Sequence, residues 1–133
     1  MDHALPALRS IDELDEAIAA SHLQPVLLFK HSYSCGISAE ALDELRALVG
    51  SGVDAGPAGV RYALVTVQTH REVSNAIAAR LGVRHETPQA ILVCGGKPLW
   101  SASHFRVNAG ELEKALRQSR VPPPSRSTTP TES

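Results

Sequence analysis

The apolar run Val26-Leu27-Leu28-Phe29 empties into a polar turn, Lys30-His31-Ser32-Tyr33-Ser34, and Cys35 stands where a helical pattern begins. Four consecutive large apolar residues, preceded by the break Gln24-Pro25, read as a buried strand. Behind the cysteine, Ile37, Ala41, Leu45 and Leu48 recur at helical spacing to about Val49. A strand that runs through a short turn into a helix predicts that the next strand returns parallel by a right-handed crossover. It also sets Cys35 at a helix N-terminus, where unpaired N–H groups and the helix dipole favour negative charge. A thiol held there is drawn toward its thiolate, the form that attacks disulfides. Three residues on, where a dithiol motif would carry its second cysteine, the chain has Ser38.

The other elements follow in order. Ser10-Ile11-Asp12-Glu13 is a capping box for a helix to about Ser21, with Leu14, Ala17 and Ile18 inward. The stretch 50–59 is small, flexible and polar, and reads as a loop. Val60–Val67 is a strand, and Thr69-His70-Arg71-Glu72 reads as a second capping box, for a helix through Val73, Ile77, Ala78 and Leu81 that Gly82 ends. After Glu86-Thr87-Pro88 comes a strand, Gln89–Cys94, turned by Gly95-Gly96 into a short strand around Leu99-Trp100-Ser101. Asn108 caps a last amphipathic helix with Leu112, Ala115 and Leu116. The order is α-β-α-β-α-β-β-α, and it predicts an α/β fold: a central four-stranded mixed sheet flanked by four helices. One domain is expected over residues 1–120, with a disordered Pro/Ser/Thr-rich tail at 121–133.

Composition narrows the function classes. The chain has 133 residues and a formal charge of −1, with no long run of either sign, so neither nucleic acid nor an anionic membrane is the expected partner. Cys35 and Cys94 are too few for a disulfide-stapled scaffold, and no signal peptide or membrane-length apolar run is visible. A cytoplasmic monomer is expected. His70, His85 and His104 lack metal-ligand spacing to each other or to either cysteine, so no metal site is predicted. Cys94 lies five to six strand residues beyond Pro88, at about 3.3 Å each, too far to resolve Cys35 within one molecule. It reads as a structural or incidental thiol, the alternative being an intermolecular contact or an oxidation liability. Lys30 and His31 each read either as a solvated turn residue or as a positive group that stabilises the thiolate, with the solvated reading favoured for Lys30, and Trp100 reads as packing.

The cysteine at the first strand-to-helix turn, with Thr87-Pro88 opening the hairpin, resembles the thioredoxin fold over about Ser10 to Arg117. In that family the proline is cis and the backbone of the residue before it pairs with the bound partner, which implies those roles for Pro88 and Thr87. Within the fold, Phe29-Lys30-His31-Ser32 with Cys35-Gly36-Ile37-Ser38 is similar to the monothiol bacilliredoxins, whose usual motif is Cys-Pro-Ile-Ser. Gly36 is the departure, and it loosens the start of the helix. The resemblance implies that Cys35, with Ser38 beside it and with His31, Gly36, Thr87 and Pro88 around the substrate, reduces mixed disulfides. Its partners would be S-thiolated client proteins and bacillithiol, a low-molecular-weight thiol co-substrate, with no bound cofactor. Two other readings remain at this point. Cys35-Gly36-Ile37-Ser38 is also similar to the Cys-Gly-Phe-Ser of monothiol glutaredoxins, which carry an iron–sulfur cluster, although the later Gly-Gly-x-Asp stretch of that family is missing. A redox-inactive interaction domain on the same fold is the third.

Overall fold

Each strand of the sheet sorts its side chains by odd and even number, and two separate apolar cores result. A computed structural model describes residues 5–51 and 59–119. The elements are α1 (Ile11–Ala20), β1 (Val26–His31), α2 (Gly36–Ser51), β2 (Arg61–Thr66), α3 (Arg71–Leu81), β3 (Gln89–Cys94), β4 (Lys97–Ser103), a 3-10 turn (His104–Arg106) and α4 (Ala109–Gln118). Strand order is β2-β1-β3-β4, with β1 parallel to β2 and antiparallel to β3, and β3 antiparallel to β4. Leu27, Phe29, Tyr62, Ala90 and Leu92 pack on one face against Ala41, Leu45 and Leu48 of α2 and Leu112 and Leu116 of α4. Val26, Leu28, Ala63, Val65, Ile91 and Val93 pack on the other against Leu14 and Ala17 of α1 and Val73, Ile77 and Leu81 of α3. Burying each large aliphatic or aromatic side chain contributes about 1.5–3 kcal/mol. Because β1 and β3 are covered on both faces, their sequences are nearly continuously apolar.

Several local expectations hold. Ser10 Oγ accepts from the N–H of Glu13, and Asn108 Oδ1 from that of Glu111. Gly82 ends α3 with φ +65°, and Gly95 and Gly96 at +61° and +79° supply the paired positive φ that a two-residue hairpin turn needs. Trp100 packs partly buried against the α2/α4 core.

Others are corrected. The second capping box does not form: α3 starts after His70 without a side-chain cap, because Thr69 Oγ1 is turned to the carbonyl of Thr66 and to His70 Nδ1. β1 does not stop at Phe29, since Lys30 pairs with Val65 and Gln89, and His31 with Thr66. β4 is longer than expected, pairing from Lys97 to Ser103 along β3. The segment before α1 also joins the sheet: Ala7 bridges Leu64, with Leu64 N–H donating to the Pro6 carbonyl and Leu8 N–H to that of Leu64, each at 2.8 Å. Most of the 50–59 loop and the whole 121–133 tail lie outside the described residues.

Candidate active site

Cys35 follows the end of β1 by four residues and immediately precedes α2, its carbonyl accepting from the N–H of Ala39 at 3.1 Å. It is a free thiol and partly buried. The turn that delivers it is tied from two sides. From α2, the fully buried Ser38 accepts the N–H of Ser32 at 2.9 Å, and His31 Nδ1 lies 2.8 Å from the same oxygen. From the end of β2, Gln68 Nε2 donates to Ser32 Oγ at 2.7 Å and to Ser34 Oγ at 3.1 Å. The Ser38 hydroxyl is thus engaged by the backbone and His31, and among the described residues it makes no bond to Cys35.

His31 is 9% exposed and stacks on Phe29, with ring centroids 6.1 Å apart. Burial, and after it the positive charge of Arg46, push its pKa below the usual imidazole value, while a hydrogen bond to the Ser38 backbone opposes them. At neutral pH the ring is therefore uncharged. With Ser32 N–H donating to Ser38 Oγ, the serine proton is free to point at Nδ1, which leaves the imidazole proton on Nε2. An uncharged His31 fixes the turn and adds no positive charge beside the sulfur.

Thr87 and Pro88 lie at the same end of the sheet. Pro88 directly precedes Gln89, whose register partner on β1 is Lys30, and the Thr87–Pro88 peptide bond is cis. The Pro88 carbonyl accepts from His104 N–H at 2.9 Å. No hydrogen bond to another described residue engages the Thr87 backbone, which leaves its N–H and carbonyl available to a partner chain. The segment leading to Thr87 is tied at each residue: Gln89 Nε2 donates to the Arg84 carbonyl at 2.7 Å, His85 meets Lys30, and the Ser103 hydroxyl donates to the Glu86 carboxylate. That last bond holds Glu86 below the usual carboxylate pKa.

Lys30 is where sequence reasoning failed. It is not a solvated turn residue but a strand residue with 0% exposure. Its Nζ lies 3.2 Å from His85 Nδ1, and Ser74 Oγ lies 3.3 Å from the same nitrogen. Burial lowers the amine to about 8. His85 is itself lowered, by burial first and then by Lys30 and Arg71, with Glu86 opposing. Gln68, Ser74 and His85 also belong to the site's support and carried no sequence signal, because each acts through a contact across the fold. Cys94 is remote, at the opposite end of β3 and paired with Lys97, and burial raises its thiol pKa. Among the described residues no group of three or more His, Cys, Asp or Glu could hold a metal, and no helix is long and apolar enough to cross a membrane.

The comparisons agree with this geometry. Residues 6–112 match the family described as monothiol bacilliredoxin BrxC. A solved structure described as a candidate oxidoreductase with a thioredoxin fold is 30% identical, with a TM-score of 0.72 over 84% of this chain and 93% of that one. The thioredoxin of Fasciola hepatica shares the fold at 19% identity and a TM-score of 0.67, covering 86% of this chain and 99% of its own. That of Trypanosoma brucei brucei does so at 16% identity and 0.67, covering 89% and 95%.

Proposed function

We propose, for a chain that belongs to the monothiol bacilliredoxin family and is a thiol oxidoreductase of thioredoxin fold, that Cys35 reduces mixed disulfides between client proteins and bacillithiol. The observation that carries the reading is the setting of Cys35: a free, partly buried cysteine at the start of α2, with an already engaged serine in the place of a resolving thiol. The Cys35 thiolate attacks the small thiol's sulfur in the mixed disulfide. A bond forms between Cys35 and that sulfur, and the client leaves as a thiolate that takes up a proton. Ser38 cannot discharge the adduct, so a second bacillithiol thiolate attacks the transferred sulfur, releasing the symmetric disulfide and restoring Cys35. The N-terminus of α2 favours negative charge on the attacking and departing sulfur. The Thr87 backbone pairs with the substrate chain.

Intact-mass spectrometry after incubation with a bacillithiol-modified client, beside the same client carrying glutathione, tests this. A bacillithiol adduct on Cys35, absent in Cys35→Ala and weak with glutathione, is the expected result. Equal transfer from both would keep the monothiol chemistry and overturn the choice of bacillithiol. No adduct from either would overturn the reading.

A further inference from the structure

The least economical residue in the molecule is Lys30. An ammonium on an inner strand, with no solvent contact, is unfavourable unless its bonds compensate. Its single partner among the described residues is an imidazole nitrogen, a neutral acceptor. A methionine would fill similar space without the cost of the charge. What the amine does instead is reach out of the sheet to His85, two residues before Thr87.

We propose that Lys30 is a positioning residue: through its bond to His85 it holds the 83–88 segment so that Thr87 and Pro88 meet the substrate, while the Cys35 nucleophile is assembled independently of it. The inference rests on the reading of Cys35 given above.

The two halves are separable in the contacts. Lys30 and His31 are neighbours on β1 but project to opposite faces of the sheet, Lys30 with Leu28 and Val26, His31 with Phe29 and Leu27. His31 joins the Ser38 ties of the Cys35 turn, and Lys30 joins none of them. On the Lys30 side, Ser74 from α3 shares the same His85 nitrogen, so the segment is tied to β1 and α3 at one atom. Gln89, in register with Lys30, is spent through Nε2 on Arg84, and its buried Oε1 has no partner among the described residues, so it does not duplicate the tie. His85 Nδ1 accepts only while unprotonated. The charged groups facing it are Lys30 from β1, Arg71 from α3 and Glu86 on its own segment, with Arg84 and His104 acting on Glu86. Protonating His85 turns the tie into repulsion between two cations.

The test compares wild type, Lys30→Met and His85→Ala, the second a change at an exposed residue that leaves the core intact. Three quantities are read: Cys35 alkylation by iodoacetamide, steady-state transfer from the bacillithiol-modified client, and backbone amide NMR order parameters over 83–87. Loss of one hydrogen bond to a charged group should raise KM about tenfold in both variants, and the order parameters should fall from the rigid range toward the flexible one. Alkylation and kcat should stay within about threefold, since neither needs the tie. The wild-type KM should climb as pH falls through the His85 titration and lose that climb in Lys30→Met. Unchanged KM and order parameters would overturn the proposal, as would alkylation and kcat falling while KM rises, the mark of a merely structural residue. Wild type that transfers nothing would sink the reading of Cys35 instead, and the 83–87 order parameters would then decide whether the tie exists.

Discussion

At the end of β1 two consecutive residues feed two networks of different construction. On the α2 face, His31 is bound to Ser38 seven residues away and Ser32 to the same serine six away. On the α3 face, Lys30 is bound to His85, 55 residues away. The first network is local, buried and uncharged at neutral pH, and it shapes the turn of the nucleophile. The second is long-range, carries a buried amine, has as Lys30's register partner a Gln89 whose Oε1 is unpaired among the described residues, and anchors the segment before the cis proline. The nucleophile's turn is thus built mostly by neighbours in sequence, with Gln68 tying it from across the fold, and the surface that presents a substrate to it by residues the fold has to bring together.

The largest expected effect breaks one side only. Cys35→Ser should reduce thiol transfer to the uncatalysed rate, with the thermal unfolding midpoint hardly changed because the sulfur is partly exposed and makes no bond among the described residues. A large fall in that midpoint would mean that the cysteine is structural.

Next in size is an alkaline effect confined to the α3 face. The Lys30 amine titrates at about 8 in the fold against 10.5 when exposed. Between those values the unfolded chain binds the extra proton, so stability rises with pH across the window, and the contribution is lost again as pH falls through 8. The change is on the order of 3 kcal/mol. Denaturant unfolding at pH 7.5 and pH 10, in wild type and Lys30→Met, measures it as the difference between the two proteins. Parallel curves would show that the amine is not buried in solution.

On the α2 face Ser38→Ala removes an acceptor and leaves the Ser32 N–H and His31 Nδ1 unpaired inside the protein, which costs about 1–3 kcal/mol. Ser74→Ala should cost less, about 0.5–1.5 kcal/mol, because His85 keeps Lys30. Equal losses would erase the distinction between a closed network and one with a spare tie. A weaker acid effect acts on both faces. His31 and His85 are both lowered below the ordinary imidazole value, so their contribution is intact above about 6.5 and declines as pH falls from there, the unfolded chain then binding more protons. His31→Phe should flatten that decline more than His85→Ala does, since His31 is the more buried ring.

The same division explains what was legible in the sequence. The Val26–Phe29 run, the helical spacing from Ile37 to Leu48, Gly82 and Gly95-Gly96 are each decided by local pattern or backbone freedom, and each stands where that pattern put it. The family was read from the Phe29–Ser38 stretch with Thr87-Pro88, and the match over residues 6–112 agrees with it. Lys30 was misread because a lysine after an apolar run is usually solvated, and only its pairing with Val65 and Gln89 carries the strand past it. Thr69 was misread because its hydroxyl donates to the Thr66 carbonyl and meets His70 Nδ1, in place of accepting from the backbone N–H that capping requires. Gln68, Ser74 and His85 had no pattern to betray them.

The smallest effect sharpens the comparison at Gly36, where the family's usual motif has proline. Gly36 opens α2 without a positive φ, is exposed, and a Cβ there would meet nothing within 4 Å. Gly36→Ala should therefore stabilise the fold by about 0.4–1 kcal/mol, through the entropy of the unfolded chain. Ser38 and Gln68 already hold the turn from within, so the rate of Cys35 alkylation should be unchanged by tightening it from outside. If the alanine variant is stabilised yet alkylates several-fold more slowly, the loose start of α2 is part of the reactivity. The nucleophile would then depend on backbone freedom as well as on the serine that has replaced a second thiol.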